Sequence, residues 1–487
     1  MNSPSDTPDD ALDVLVIGAG LSGLTAAYAL SDRPQRHIAV WEATDHWGGN
    51  IVTRQSDGYL WEEGPNSFSP TPDLMRLLVD LGLEAELVLA DRRLPRYVFW
   101  RGQLQAVPMS PPQALGTALL SPWGKLRAAL GGRGFVRPAM ASSPEETVAE
   151  FFGRHLGSEV LERLVAPFVS GVYAGDPQEL SAIAAFGRVA RLEELGGGLA
   201  AGAWRSRHQT PPQTIDVSLP VTRRGELGSF RDGLMALPRA IGLALLNRGV
   251  ELAKRHEVVG MQQLPSKLWQ VTAETPEGRR TVVTRTVVLA IPAHGVARLW
   301  QDGLPDGAKA LRAVPYPSVV CVALGYPAAA VRPEYRPLQG FGHLIPRGQG
   351  VRTLGTIWGS SLFAGRAPQG CHLLLNFIGG ATDPAIAQSS DDEIVAIVNR
   401  DLQRMILTPE AGTPKVLAVR RWQQAIPQYT RGHRQRIATA QAAAARKGGV
   451  FLCSNYVQGV ALGDCVTQAR QVARVVASAL QEHKGGA

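Results

Sequence analysis

At 487 residues, 45% of them hydrophobic and 19% charged, the chain is an ordinary globular protein too long for a single core, so two or three domains are expected. Its four cysteines, Cys321, Cys371, Cys453 and Cys465, make no C-x-x-C pair, which speaks against a disulfide framework or structural zinc, suits a reducing compartment and, with ten scattered histidines, leaves no metal to expect. A formal net charge of +8 fits an anionic substrate or an anionic lipid surface, and equally plain solubility; no nucleic-acid partner is expected.

Residues 1–11 carry Asp6, Asp9 and Asp10 and no arginine, which reads as a disordered tail and neither a transit nor a signal peptide. Val14 to Ile17 is an apolar strand that runs into Gly18, Gly20 and Gly23, spaced G-x-G-x-x-G, and then into the helical Leu24 to Leu30. Glycines suit such a turn because the backbone must approach a pyrophosphate with no side chain between, while the helix N-terminus offers free N–H groups. Val14 to Leu30 is apolar enough for a membrane span, but its glycines with Ser22 and Thr25 favour a strand and helix in water, and no transmembrane helix is expected. A second strand, His37 to Trp41, ends in Glu42, nineteen residues after Gly23, where an acid would hold a ribose hydroxyl. A second glycine turn, Gly48-Gly49-Asn50, and the run Gly58 to Phe68 follow; a nicotinamide fold has no need of them, whereas a flavin is enclosed by a second loop, so FAD is expected in preference to NAD.

Leu74, Leu77, Leu78 and Leu81 have helical spacing within 73–83, and residues 97–100 and 103–107 read as a hairpin about Gly102. From Pro108 to Pro138 the chain mixes prolines with Leu115, Leu119, Leu120, Trp123, Leu126 and Leu130, and with Lys125, Arg127, Arg133 and Arg137 but no acid. That pattern suits a monotopic membrane patch, and also a core helix edged by solvated cations. An amphipathic helix is expected over 145–164, short strands at 257–260, 268–271, 280–291, 319–325, 353–358 and 372–378, and at the C-terminus a strand over 449–453, a turn at 459–464 and a helix over 465–480. No internal repeat is visible.

With these motifs in place, the chain resembles the oxygen-dependent protoporphyrinogen oxidase family, most closely its plant and cyanobacterial branch, over nearly its whole length. The resemblance rests on 18–23, Glu42-Ala43 with 48–51, 58–68, Phe168 to Pro177, Gly228 to Leu234, Thr353 to Thr356 and Tyr456 to Cys465, of which 171–177 and 230–234 are the most specific. It implies a mixed α/β and α+β fold: a Rossmann-type FAD-binding domain of the amine-oxidase type (12–91, 216–296 and 443–487), an interleaved substrate-binding sheet domain (92–107 and 297–442) and a helical membrane-binding domain (108–215). It implies FAD contacts from Gly18, Ala19, Gly20, Leu21, Ser22, Gly23, Glu42, Ala43, Gly49, Asn50, Gly64, Pro65, Asn66, Ser67, Val258, Asn455, Val460, Ala461 and Leu462. Arg96 would meet a propionate of the tetrapyrrole, Leu344, Ile357 and Phe377 would enclose the macrocycle, and Gly175 would leave room for a ring edge. The family usually has arginine where His46 stands, and plant relatives usually have arginine where Asp464 stands.

The activity so implied is the six-electron oxidation of protoporphyrinogen to protoporphyrin in haem and chlorophyll synthesis, by three two-electron rounds that release hydrogen peroxide from oxygen. The flavin carries the chemistry, so no residue is assigned as catalytic, and His343 and His433 are given no catalytic role. The location implied is peripheral, on the cytoplasmic side of a membrane, with room left for a homodimer and for docking with a ferrochelatase. The rivals are a coproporphyrinogen oxidase of the same flavin family, which would want more than one cation in its pocket, a carotenoid desaturase or amine oxidase, and a non-catalytic flavin-bound scaffold.

Overall fold

The structure, a computed structural model, describes residues 11–33, 35–136, 145–209, 219–223 and 225–485; the expected tail up to residue 10, Arg137 and Pro138 lie outside them. The Leu12–Ile17 strand is buried almost throughout, as befits a parallel strand covered on both faces. It lies between the parallel strands Ile38–Trp41 and Gly278–Leu289, and Val450–Leu452 pairs in parallel with the latter. Its side chains alternate between two cores. Val14 and Val16 face the helices Leu21–Leu30, Ala236–Asn247 and Leu462–Gly485, while Leu15 and Ile17 face Ala293–Leu299, Pro305–Arg312 and His433–Lys447. An antiparallel meander, Glu257–Gln263 and Trp269–Thr275, extends this seven-stranded sheet at one edge, and Glu251–Ala253 closes the other.

The second seven-stranded sheet runs in the order Lys415–Trp422, Val319–Pro327, Cys371–Gly379, Thr353–Trp358, Gly342–Leu344, Arg96–Trp100 and Gln103–Ala106. Every pairing is antiparallel except that of Gly342–Leu344 with Arg96–Trp100. One face packs Val320, Val322 and Leu324 on Ile394, Val398 and Leu402 of the Asp391–Met405 helix. The other face turns Leu373 and Leu375 toward Tyr59 and Trp61 of the Thr53–Ser56 and Tyr59–Glu62 hairpin, which belongs to the glycine-rich part of the chain. The first and second sheets are thus brought together across that hairpin.

Between them in sequence lies a helical unit with its own small core of Phe151, Phe152, Val169 and Leu180. The single helix expected over 145–164 is broken. A capping box at Thr147 and Glu150 starts a helix at Val148, and Gly157, at φ 89°, ends it after Leu156. Positive φ is cheap for glycine, so the chain turns there and resumes at Ser158, reaching the Ala166–Tyr173 helix. The apolar residues of 108–135 divide. Leu119 and Leu120 are buried, whereas Leu115, Trp123 and Phe135 are 74%, 73% and 72% exposed, with Met109, Leu126 and Leu130 also exposed. The cations divide as well: Arg127 donates to the carbonyls of Arg154 and His155 and so ties the Pro122–Gly132 helix to the end of Val148–Leu156, while Lys125 and Arg133 stay at the surface.

Candidate active site

The turn between the Leu12–Ile17 strand and the Leu21–Leu30 helix is shaped by absent side chains. Gly18 sits at φ 102°, where an added Cβ would lie 3.0 Å from the Ala290 carbonyl oxygen. A Cβ on Gly23 would collide with the carbonyl oxygen of Gly18, so the helix can pack this close to the strand only with glycine. The helix has no side-chain cap at Gly20, which leaves its first N–H groups free for an anion. The second glycine turn meets the first: Gly48 N–H donates to the Ala19 carbonyl at 2.8 Å, and a Cβ on Gly49 would stand 3.1 Å from Gly20 Cα.

Glu42 is buried beside this double turn, and its Oε2 accepts from the Ala19 N–H at 2.8 Å. Its Oε1 accepts from the Thr44 N–H and hydroxyl at 2.9 and 2.8 Å. A carboxylate has about four acceptor positions, so one remains on Oε2 for a ribose hydroxyl. Gly64 lies bare against the Asn50 carbonyl, Pro65 and Ser67 are half-buried, and Ala43 is exposed at the rim. Two buried polar atoms close by have no partner among the described residues, Nε2 of His46 and Oδ1 of Asn66. A double glycine cradle, an acid with a spare acceptor and unsatisfied polar atoms together fit FAD.

Val258 lies two residues after His256, whose N–H donates to the Glu42 carbonyl at 2.8 Å. The Asn455 carbonyl accepts from the Tyr429 hydroxyl, and Val460, Ala461 and Leu462 lead into the long C-terminal helix. Of the two departures from the family pattern, His46 lies 3.3 Å from Asp45, and Asp464, in the first turn of that helix, faces Arg188 at 3.9 Å with its pKa raised by burial.

Register places the expected substrate residues on one face of the second sheet. Arg96 pairs with Gly342, Gly342 with Ile357 and Ile357 with Leu375; in the next row Leu344 pairs with Gly355 and Gly355 with Phe377. Paired residues share a face, so Arg96, Leu344, Ile357 and Phe377 project together. Arg96 is half-buried, and burial lowers its pKa. Its guanidinium lies 5.5 Å from the Phe341 ring centroid and 3.9 Å from Met109 Sδ, and it forms no ion pair among the described residues. Such a cation invites an anionic ligand.

Gly175 is closely packed. The space beside its Cα is filled by the Gln428 side-chain oxygen and Leu180, so its missing side chain makes room for Gln428. Gly171 on the Ala166–Tyr173 helix is the glycine that lies against Leu344.

A small cavity lined by Glu62, Asn66, Ile357, Phe363 and Arg366 joins the glycine-rich segment to the second sheet. Arg366 is buried and committed, donating to Ser229 Oγ at 3.0 Å and the Phe230 carbonyl at 2.8 Å. Glu62 grips the same loop, accepting from the Leu234 N–H at 2.8 Å and from the Thr53 hydroxyl at 2.7 Å. Burial pushes the Glu62 pKa up to about 7 from its ordinary 4.5, against the pull of those donors and Arg366. A carboxyl with a raised pKa holds its proton more tightly folded than unfolded, so its contribution to stability is lost as pH rises from about 4.5 to about 7. The loss is about 3 kcal/mol. Urea midpoints of wild type and Glu62→Gln should therefore diverge between pH 5 and pH 8, the wild type losing stability relative to the variant; parallel profiles would contradict this.

His343 lies on the opposite face, fully buried, with Trp358 Nε1 donating to its Nδ1 at 3.2 Å and its pKa pushed down to about 3. His433 stacks on Tyr429 at 4.2 Å, with Nε2 2.7 Å from the Tyr456 carbonyl oxygen and a pKa pushed down to about 4. Both are neutral packing residues. Sequence reasoning missed Phe341 beneath Arg96, Gln428 beside Gly175, and Trp422, whose indole donates to the Glu63 carbonyl at 2.7 Å. None lies in a motif, so no local signal marks them.

The family model described as "Flavin containing amine oxidoreductase" matches residues 21–477. The chloroplastic protoporphyrinogen oxidase of Nicotiana tabacum is 44% identical over 484 residues, covering 98% of this chain and 87% of that protein. The coproporphyrinogen III oxidase of Bacillus subtilis is 30% identical over 478 residues, covering 95% and 97%. Among solved structures, one from Exiguobacterium sp. 255-15, provisionally titled a protoporphyrinogen oxidase, has a TM-score of 0.76 at 22% identity and covers 97% of this chain and 99% of its own; at that identity the likeness shows the fold.

Proposed function

This chain belongs to the flavin containing amine oxidoreductase family, in its protoporphyrinogen-oxidising branch, and from that premise we propose how its residues divide the work. Gly18 to Gly23, Glu42, Gly48 to Asn50 and Gly64 to Ser67 would hold FAD, with Val258, Asn455 and Val460 to Leu462 completing the enclosure. Bound FAD supplies two-electron oxidation, and three rounds with oxygen as the acceptor account for the six electrons that separate porphyrinogen from porphyrin. The protein binds, orients and dries the substrate. The apolar face of Leu344, Ile357 and Phe377 covers the macrocycle, and Arg96 fixes its rotation by pairing with a propionate. The observation that carries this reading is the half-buried Arg96, without an ion pair among the described residues, on the same sheet face as those residues. Porphyrinogens of both kinds, supplied separately, test it: protoporphyrinogen should give porphyrin fluorescence with oxygen uptake and a higher kcat/KM than coproporphyrinogen. The reverse preference would place the chain with the 30% identical relative.

We also propose that the helical unit seats the protein on a membrane surface. No helix among the described residues is long and apolar enough to cross a membrane. Leu115, Trp123, Leu126 and Phe135 are exposed together with the surface cations Lys125 and Arg133, a combination suited to an anionic interface. Arg127 holds the helices together, so the informative variant spares it. Trp123→Ser with Lys125→Glu and Arg133→Glu should release the protein from liposomes containing anionic lipid while FAD content is unchanged; equal sedimentation of wild type and variant would refute membrane seating by this patch.

A further inference from the structure

A porphyrinogen with two propionates on neighbouring rings presents two carboxylates along one edge, and Arg96 can pair with only one of them bidentately. The segment that leads into the Arg96 strand helps to line a polar cleft of about 320 Å³, formed by Leu89, Ala90, Asp91, Arg92, Arg93, Arg223 and Glu226. Three arginines face two acids, and the acids are engaged. Asp91 accepts from the backbone N–H and Nε of Arg93 at 2.9 and 3.2 Å, and Glu226 accepts from the Arg223 N–H at 2.6 Å. The guanidinium groups of Arg92 and Arg223 form no ion pair among the described residues.

The cleft and the Arg96 site are parts of one construction. Ala90 N–H donates to the Leu227 carbonyl at 2.8 Å, Leu94 N–H closes a turn onto Asp91 at 3.0 Å, and Phe341 N–H donates to the Pro95 carbonyl at 2.9 Å. The 90–95 segment is therefore pinned at one end beside Arg223 and Glu226 and at the other beside Phe341, over which Arg96 lies. Ala90, Leu94, Leu227, Phe341, Phe363 and Ile357 pack as one apolar strip from the cleft to the substrate face. Arg92 stands four positions before Arg96, so their Cα atoms are at most about 14 Å apart, and two extended guanidinium side chains can serve carboxylates of one tetrapyrrole across that span.

We propose that this cleft is a second carboxylate site at the substrate mouth, in which Arg92 and Arg223 hold the tetrapyrrole propionate that Arg96 does not. The proposal rests on the assignment of Arg96 to a propionate. The same chemistry would take a free inorganic anion, and the experiment separates the two. Equilibrium binding of protoporphyrin, its dimethyl ester and inorganic phosphate to the FAD-loaded protein is followed by quenching of porphyrin or tryptophan fluorescence, with phosphate as competitor. In Arg92→Gln with Arg223→Gln, protoporphyrin should bind about fivefold more weakly, a modest factor because the contacts are exposed. The dimethyl ester should bind wild type and variant equally, and phosphate should compete only weakly. Equal protoporphyrin affinity in wild type and variant would overturn the proposal, as would a variant that loses phosphate competition alone, which marks a free-anion site. Arg96→Ala measured alongside keeps the two assignments apart: weaker binding there with an unaffected double variant sinks the cleft and leaves Arg96 standing, whereas an unaffected Arg96→Ala removes the Arg96 assignment itself.

Discussion

Gly23→Ala is expected to leave the chain without its flavin. The added methyl group would run into the carbonyl oxygen of Gly18, a backbone atom that cannot swing away as a side chain would. Relief requires the Leu21–Leu30 helix to lift from the Leu12–Ile17 strand, and the helix is held from the other side by the C-terminal Leu462–Gly485 helix in the same core. Overpacking of this kind costs about 1–3 kcal/mol, which spent on cradle geometry weakens cofactor binding on the order of ten- to a hundredfold. The purified variant should be pale, with a flavin-to-protein ratio far below one after gel filtration, while its far-ultraviolet dichroism stays near that of wild type. A fully yellow variant would show that the glycine serves packing alone and that the dinucleotide is held elsewhere.

Arg96→Ala is expected to lower kcat/KM for protoporphyrinogen by about ten- to a hundredfold. Losing a charged hydrogen-bonded contact costs about 1.5–3 kcal/mol, and the cost lies toward the upper end where the cation is half-buried. In the proposed arrangement Arg96 grips a propionate and not the reacting carbon, so most of the loss should appear in KM. Arg96→Lys should restore only part of it, since an ammonium offers a point charge where guanidinium offers two parallel donors. Phe341 strengthens that difference: a guanidinium stacks over its ring more readily than an ammonium. Unchanged kinetics would mean the propionates are held elsewhere. Arg366 is an unsuitable substitute because Ser229 and Phe230 already occupy it, and Arg231 is exposed.

The meeting of the two glycine turns with Glu42 was legible in the sequence because its requirements are local. The positions of Gly18, Gly20 and Gly23, the strand ending at Glu42 and the Gly48-Gly49 turn are each set by short-range backbone geometry, and they meet in space as their spacing implies. The short strands were legible too, since alternation of apolar residues survives in a sheet with one face on a core. What stayed hidden depends on distant partners. The helix expected over 145–164 breaks at Gly157, where the left-handed conformation outweighs a continuous apolar stripe. What packs beside Gly175 is Gln428, some 250 residues away, which no local pattern can reveal. Arg127 looked like one cation of a basic stripe, yet its partners are backbone carbonyls of another helix. Register, which puts Arg96 beside Leu344 and Ile357, came from a parallel pairing of strands far apart in the chain.

Anaerobic mixing of the purified protein with protoporphyrinogen, followed by flavin absorbance, tests the oxidation most directly. Wild type should bleach on mixing and regain its yellow colour when oxygen is admitted, with porphyrin appearing in step, and the Arg96→Ala protein should bleach to the same end point but need more substrate to do so. A flavin that stays oxidised in the presence of saturating protoporphyrinogen, while remaining stoichiometrically bound, would contradict the assignment and leave a flavin-binding protein that does not oxidise this tetrapyrrole.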